Sequence, residues 1–78
     1  GRETDPDAVI APMSGTLTKL MTESGRKVAG GDVLAIVEAM KMQLELRAPR
    51  DGVVAEVVVQ AGAQVKNRQL LLRLKPKE

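Results

Sequence analysis

Glycine and proline divide this chain into short segments in which Val, Leu and Ile dominate. Extended pieces are predicted at Val9–Ala11, Thr16–Met21, Lys27–Val28, Val33–Ala39, Met42–Ala48, Val53–Val59, Gln64–Val65 and Gln69–Leu74. Short length and β-branched content favour strands over helices, and no stretch sustains a period of 3.6. A shift of 37 positions aligns the chain with itself without a gap. It carries Ala11-Pro12 onto Ala48-Pro49, Gly15 onto Gly52, Gly25 onto Gly62, Val28 onto Val65 and Leu34 onto Leu71. Conservative pairs fill the intervals: Leu17 with Val54, Leu20 with Val57, Val33 with Leu70 and Val37 with Leu74. The glycines, Gly15 among them, repeat where a turn needs positive φ, and recurrent turn residues would explain them, but not a constant offset held from Ala11 to Leu74. The pattern therefore predicts an all-β fold, a sandwich or flattened barrel whose halves are related by a pseudo-twofold axis.

The middle of the chain reads as a hairpin. With Met40 and Lys41 as the two central turn residues, paired positions sum to 81. Val37 then meets Leu44, Ala35 meets Leu46 and Val33 meets Ala48 on a wholly aliphatic face. Glu38 meets Gln43, Ile36 meets Glu45 and Leu34 meets Arg47 on a mostly polar one. A slip of one residue would mix the faces, so the register is well specified. The turn is not: a two-residue hairpin favours Asn-Gly or Asp-Gly, and Met-Lys adopts positive φ poorly. Either the turn is longer or irregular, or its side chains are there for another reason. The repeat carries position 41 onto 78 and onto 4, so Lys41 is expected at one end of the domain and both chain ends at the other. On spacing alone, an exposed hairpin lysine is usually just a solvated charge.

Composition narrows the chemistry. The 78 residues include no Cys, no His and no aromatic residue, so a small aliphatic core must hold the fold without disulfides. Thiolate metal sites, cysteine nucleophiles and a Ser-His-Asp arrangement are excluded. Twelve basic residues face ten acidic ones, scattered and without a run. Nucleic-acid binding would want a basic patch or stacking aromatics, so no nucleic-acid partner is expected. The longest apolar run, Val33 to Val37, is too short to span a membrane, and no signal peptide is visible. The chain opens on Gly1 rather than Met, as an excised piece would. Residues 1–7 read as linker, 8–75 as the domain and 76–78 as a tail. These features suit a carrier, a binding module or a part of something larger.

The segment Glu38-Ala39-Met40-Lys41-Met42 resembles the attachment motif of biotinyl domains, also called biotin carboxyl carrier domains. The resemblance extends to Ala11-Pro12-Met13-Ser14-Gly15, the Gly30-Gly31-Asp32 turn and Ala48-Pro49 through Gly52, and spans roughly residues 9 to 74. It implies two four-stranded antiparallel sheets in a flattened barrel, and biotin in amide linkage on Lys41. Glu38, Ala39, Met40 and Met42 would be recognition elements for a biotin protein ligase that makes Lys41 attack biotinyl-adenylate. Further implied partners are a biotin carboxylase and a carboxyltransferase acting on an acyl-CoA or 2-oxoacid, with the isolated domain monomeric and itself no enzyme. The compartment would be cytoplasmic, or the mitochondrial matrix for a eukaryotic parent.

The gapless repeat leaves no room for the thumb of many bacterial acetyl-CoA carboxylase carriers. It resembles instead the biotinyl domains of acyl-CoA carboxylases, pyruvate carboxylase and biotin-dependent decarboxylases. Two positions depart from the family pattern. Ser14 stands where Pro is usual, and Arg68 stands where the first repeat has Gly31. If positive φ is required there, Asn67 is the expected supplier. Lipoyl domains of 2-oxoacid dehydrogenase complexes are similar but usually set Asp and Ala around their lysine. Unmodified barrel-hybrid modules of transporter adaptors need no special lysine.

Overall fold

The computed structural model describes residues 7–76. Eight strands form where the aliphatic segments predict them, with ends shifted by at most two residues: β1 (Ala8–Ile10), β2 (Gly15–Leu20), β3 (Lys27–Val28), β4 (Val33–Ala39), β5 (Met42–Arg47), β6 (Gly52–Val57), β7 (Gln64–Val65) and β8 (Leu70–Leu74). They build two antiparallel four-stranded sheets, ordered β5-β4-β2-β7 and β1-β8-β6-β3. The 37-residue shift carries β1, β2, β3 and β4 onto β5, β6, β7 and β8, so each sheet is the image of the other. Each also borrows from the other half of the chain: β7 completes the sheet of β2, and β3 that of β6. Within a half only β2 with β4 and β6 with β8 pair, while β1, β3, β5 and β7 find their partners in the other half.

The core between the sheets is aliphatic and built from repeat partners. Leu17 and Val54, Leu34 and Leu71, and Val37 and Leu74 are all fully buried. The repeat extends to the irregularities. Thr18 is an extra residue in β2 against β4, as is Ala55 in β6 against β8. Leu34 bulges from β4 against β5, and Leu71 from β8 against β1. A bulge sets two residues against one and lets neighbours in sequence face the same side. That is why Leu34 and Ala35 are both buried, as are Leu71 and Leu72.

This bulge corrects the sequence-based register in one place. Around the tip, Ala39 pairs with Met42, Glu38 with Gln43, Val37 with Leu44, Ile36 with Glu45 and Ala35 with Leu46, all summing to 81. Beyond Leu34 the register moves by one and Val33 pairs with Arg47. The expected pairs Val33–Ala48 and Leu34–Arg47 do not form. Strict alternation would have put a leucine on the polar face, and burying it outweighs an uninterrupted ladder.

Both ends of the described chain are tied down by one side chain. The Arg50 guanidinium donates to the Asp7 carboxylate from Nε (3.1 Å) and Nη2, to the Lys75 carbonyl from Nη2 (2.6 Å), and to the Asp51 carbonyl from Nη1 (2.9 Å). The Leu74 amide donates to the Asp7 carbonyl at 2.8 Å. Asp7, assigned to the linker on sequence grounds, thus belongs to the fold, while residues 1–6 and 77–78 lie outside the described residues. Arg50 follows the foot of the β4–β5 ribbon, three residues after β5 ends. Seven residues of β4, at about 3.3 Å each, put roughly 20 Å between this clasp and the hairpin tip.

Candidate functional site

The β4–β5 connection is a tight two-residue turn. Ala39 and Met42 close it, and Met40 (φ 51°) and Lys41 (φ 65°) both take the left-handed conformation. That backbone matches the right-handed twist of the flanking strands but disfavours side chains, hence the usual glycine or asparagine. The longer or irregular turn left open by the sequence does not occur. Two residues that fit this geometry poorly hold it because six residues of register on either side determine it.

The tip is an apolar collar around an amine. Met40 is 82% exposed and Met42 48%, although both are large hydrophobics. Lys41 is exposed, and its ammonium makes no hydrogen bond or ion pair with any described residue. Glu38 is exposed on the outer face beside Gln43. Ala39 is different: at 4% exposure it packs inward and presents nothing to a partner. Of the five motif residues, Glu38, Met40, Lys41 and Met42 are therefore exposed at this end of the domain, and Ala39 alone is buried.

Gly15 explains the small side chain at 39. A Cβ on Gly15 would lie 2.4 Å from the Glu38 carbonyl oxygen and 3.0 Å from the Ala39 Cβ. The sequence marks Gly15 as a turn glycine needing positive φ. It is instead a strand residue, required because β2 approaches the hairpin backbone too closely for any side chain. Its neighbour Ser14 accepts a hydrogen bond from the Asn67 amide (3.1 Å), so both departures from the family pattern meet at this end of the domain. The positive φ expected of Asn67 is taken by Arg68 itself (φ 71°). In the second repeat it stands where Gly31 (φ 92°) does in the first.

Comparison with known proteins agrees with this geometry. The family model described as "Biotin-requiring enzyme" matches residues 7–74. The chain is 37% identical over 75 residues to the biotin-dependent acyl-coenzyme A carboxylase alpha3 subunit of Mycobacterium leprae, covering 96% of this chain and 12% of that protein. It is 41% identical over 71 residues to the pyruvate carboxylase of Bacillus subtilis, covering 91% and 6%. The chain thus spans about an eighth or less of the length of these relatives. Among solved structures, the lipoyl domain of the 2-oxoglutarate dehydrogenase complex from Azotobacter vinelandii superimposes with a TM-score of 0.80 at 27% identity, covering 92% of this chain and 99% of that one. The shared fold thus serves two attached groups, and the residues around the lysine must separate them. With the family match covering nearly the whole chain and methionines on both sides of the tip lysine, the chain belongs to the biotin-requiring-enzyme family, as a biotinyl domain of the kind found in biotin-dependent carboxylases, and its cofactor is biotin.

Proposed function

We propose that Lys41 is the residue that carries biotin, in amide linkage on Nζ, and that the domain delivers it between the active sites of a larger carboxylase. The observation that carries this reading is an exposed lysine at a two-residue turn whose residues are poor turn formers, flanked by two exposed methionines. The residues fit the group. Amide formation needs one accessible primary amine, and the turn holds it outward without an internal partner. When bound, biotin supplies a ureido nitrogen that takes up a carboxyl group at a biotin carboxylase and yields it to an acyl-CoA or 2-oxoacid acceptor at a carboxyltransferase.

The chain's own part is positional. Rigid pairing on both sides of the turn projects the amine from the sheet, and the clasp at the far end keeps the described chain ends away from it. Met40 and Met42 offer adaptable apolar surface that packs against a partner and excludes water from the linkage. Glu38 is the ionisable neighbour of Lys41 in the motif, and a carboxylate is too weak a base to take a proton from an ammonium, so that removal falls to the biotin protein ligase. Tethering at one end raises the local concentration of the attached group at both active sites without tight binding at either. Residues 8–75 are the delivered body in this reading, and the compartment is that of the parent, cytoplasm or mitochondrial matrix.

The test is intact mass after co-expression with a biotin ligase. A single biotinyl adduct on the wild-type chain, absent from a folded Lys41→Arg variant, is the expected result. A lipoyl adduct, or none on folded wild-type protein, overturns the proposal.

A further inference from the structure

The turns Ala29–Asp32 and Lys66–Gln69 are repeat partners with the same internal bonding. In each, the fourth amide donates to the first carbonyl, at 3.0 Å and 2.9 Å. In each, the fourth side chain accepts the first amide at 2.9 Å, through Asp32 Oδ2 and Gln69 Oε1. In each, the third residue is left-handed, as a type II turn requires, and glycine is the residue that suits it. The first turn is Ala-Gly-Gly-Asp. The second is Lys-Asn-Arg-Gln, with a guanidinium where the backbone asks for no side chain.

The turns differ in location. The first lies by the clasp: the Gly30 amide donates to Asp51 Oδ1 at 2.7 Å, next to Arg50. The second lies at the lysine end. β4 and β7 are both antiparallel to β2, so they run the same way. Gly15 pairs with Val65, and Thr16 with Glu38, so Val65 lies level with the end of β4, two strands or about 10 Å away. Lys41, two residues past β4, and Lys66 to Arg68, just past β7, leave the sheet at the same edge. All three non-glycine residues with positive φ in the described chain are therefore at this end.

We propose that Lys66 and Arg68 form a cationic docking patch that seats the lysine tip against a carboxylate-bearing face of the ligase that joins biotin to Lys41. The inference rests on the assignment of Lys41 above. Both side chains are exposed and engage no other described residue, so neither is needed to hold the turn. The platform is rigid: the Arg68 amide donates to the Ala11 carbonyl at 2.8 Å, and the Asn67 amide to Ser14 Oγ. The methionines flank the turn on its own axis and cannot fix rotation about it. A charge pair about 10 Å off that axis can, and charge complementarity at an interface rim sets orientation and encounter rate. The domain also exposes Lys19, Lys27 and Lys75, so one productive approach must be selected.

Steady-state biotinylation of the purified 78-residue chain by a biotin protein ligase tests this. At low ionic strength, Lys66→Glu and Arg68→Glu should each raise KM about three- to tenfold, leave kcat unchanged and flatten the salt dependence of kcat/KM. Arg68→Gly should raise KM with an equal or higher Tm, which separates docking from folding. Unchanged KM and salt dependence in both reversals, with Lys41→Arg abolishing labelling, overturns the patch and leaves the Lys41 assignment standing. A KM increase that persists at about 0.5 M salt also overturns it, because screened charges cannot cause it. No adduct on the folded wild-type chain removes the Lys41 assignment and the patch together.

Discussion

The two ends of this domain obey the same repeat and solve their backbone problems differently. At the clasp end, the left-handed position is filled by Gly31, and Arg50 bonds Asp7, Asp51 and Lys75. At the lysine end, Met40, Lys41 and Arg68 occupy conformations in which glycine or asparagine would be more stable, and their side chains point into solvent. The β4–β5 turn has no covalent counterpart between β8 and β1, where the Arg50 clasp stands in for it. One end follows stability rules, while the other departs from them at the residues that a partner would read. Local strain concentrated on one surface is the signature of a site held in place by the rest of the fold.

The sharpest break in this comparison is chemical. Lys41→Arg should abolish biotinylation completely while leaving the thermal unfolding curve in place. Next in size is Gly15→Ala, which forces a Cβ onto the Glu38 carbonyl, a backbone atom that cannot swing aside. We expect a loss of about 2–4 kcal/mol in urea unfolding, the range of overpacked or strained core positions. Arg50→Ala should cost about 1–3 kcal/mol, because it removes the guanidinium's bonds to the part-buried Asp7 carboxylate and to the Lys75 carbonyl. Amide exchange should then accelerate at Leu74 and Lys75 and stay unchanged at Val37 and Leu44.

The smallest effects invert between the ends. Gly31→Arg should destabilise by roughly 1 kcal/mol, and Arg68→Gly should stabilise by roughly the same amount, since each exchanges the residue at a left-handed position. Met40→Asn should add about 0.5–1 kcal/mol of stability by fitting the turn, yet lower the rate of ligase labelling. If Met40→Asn were labelled as fast as wild type, the poor turn chemistry at the tip would have no functional reason.

Much of this was legible in the chain. The eight strands follow from aliphatic runs cut by glycine and proline, and the register around the tip follows from the requirement that one face be apolar. The same rule failed at Leu34, because alternation assumes an unbroken ladder and a bulge turns two consecutive residues inward. Residue identity across the repeat was no guide, because Leu34 and Leu71 bulge alike and are the same residue, while the other bulged pair, Thr18 and Ala55, is not. Gly15 was misread for a related reason. A glycine in a sequence announces that a side chain is unwelcome, not whether φ or a neighbouring strand excludes it.

Sequence by itself determined what is local or periodic: the repeat, the all-β character, the hairpin with Lys41 at its centre and the methionines beside it. Period and turn chemistry act between near neighbours, so they can be read without coordinates. The tertiary structure alone decided that Arg50 gathers Asp7 and Lys75 and that Gly15 lies under Glu38. It also put Lys66 and Arg68 at the same edge as the lysine. Those contacts join residues from 23 positions apart (Gly15 and Glu38) to 43 (Asp7 and Arg50). No pattern along the chain encodes them, because they exist only once two sheets have closed around a shared aliphatic core.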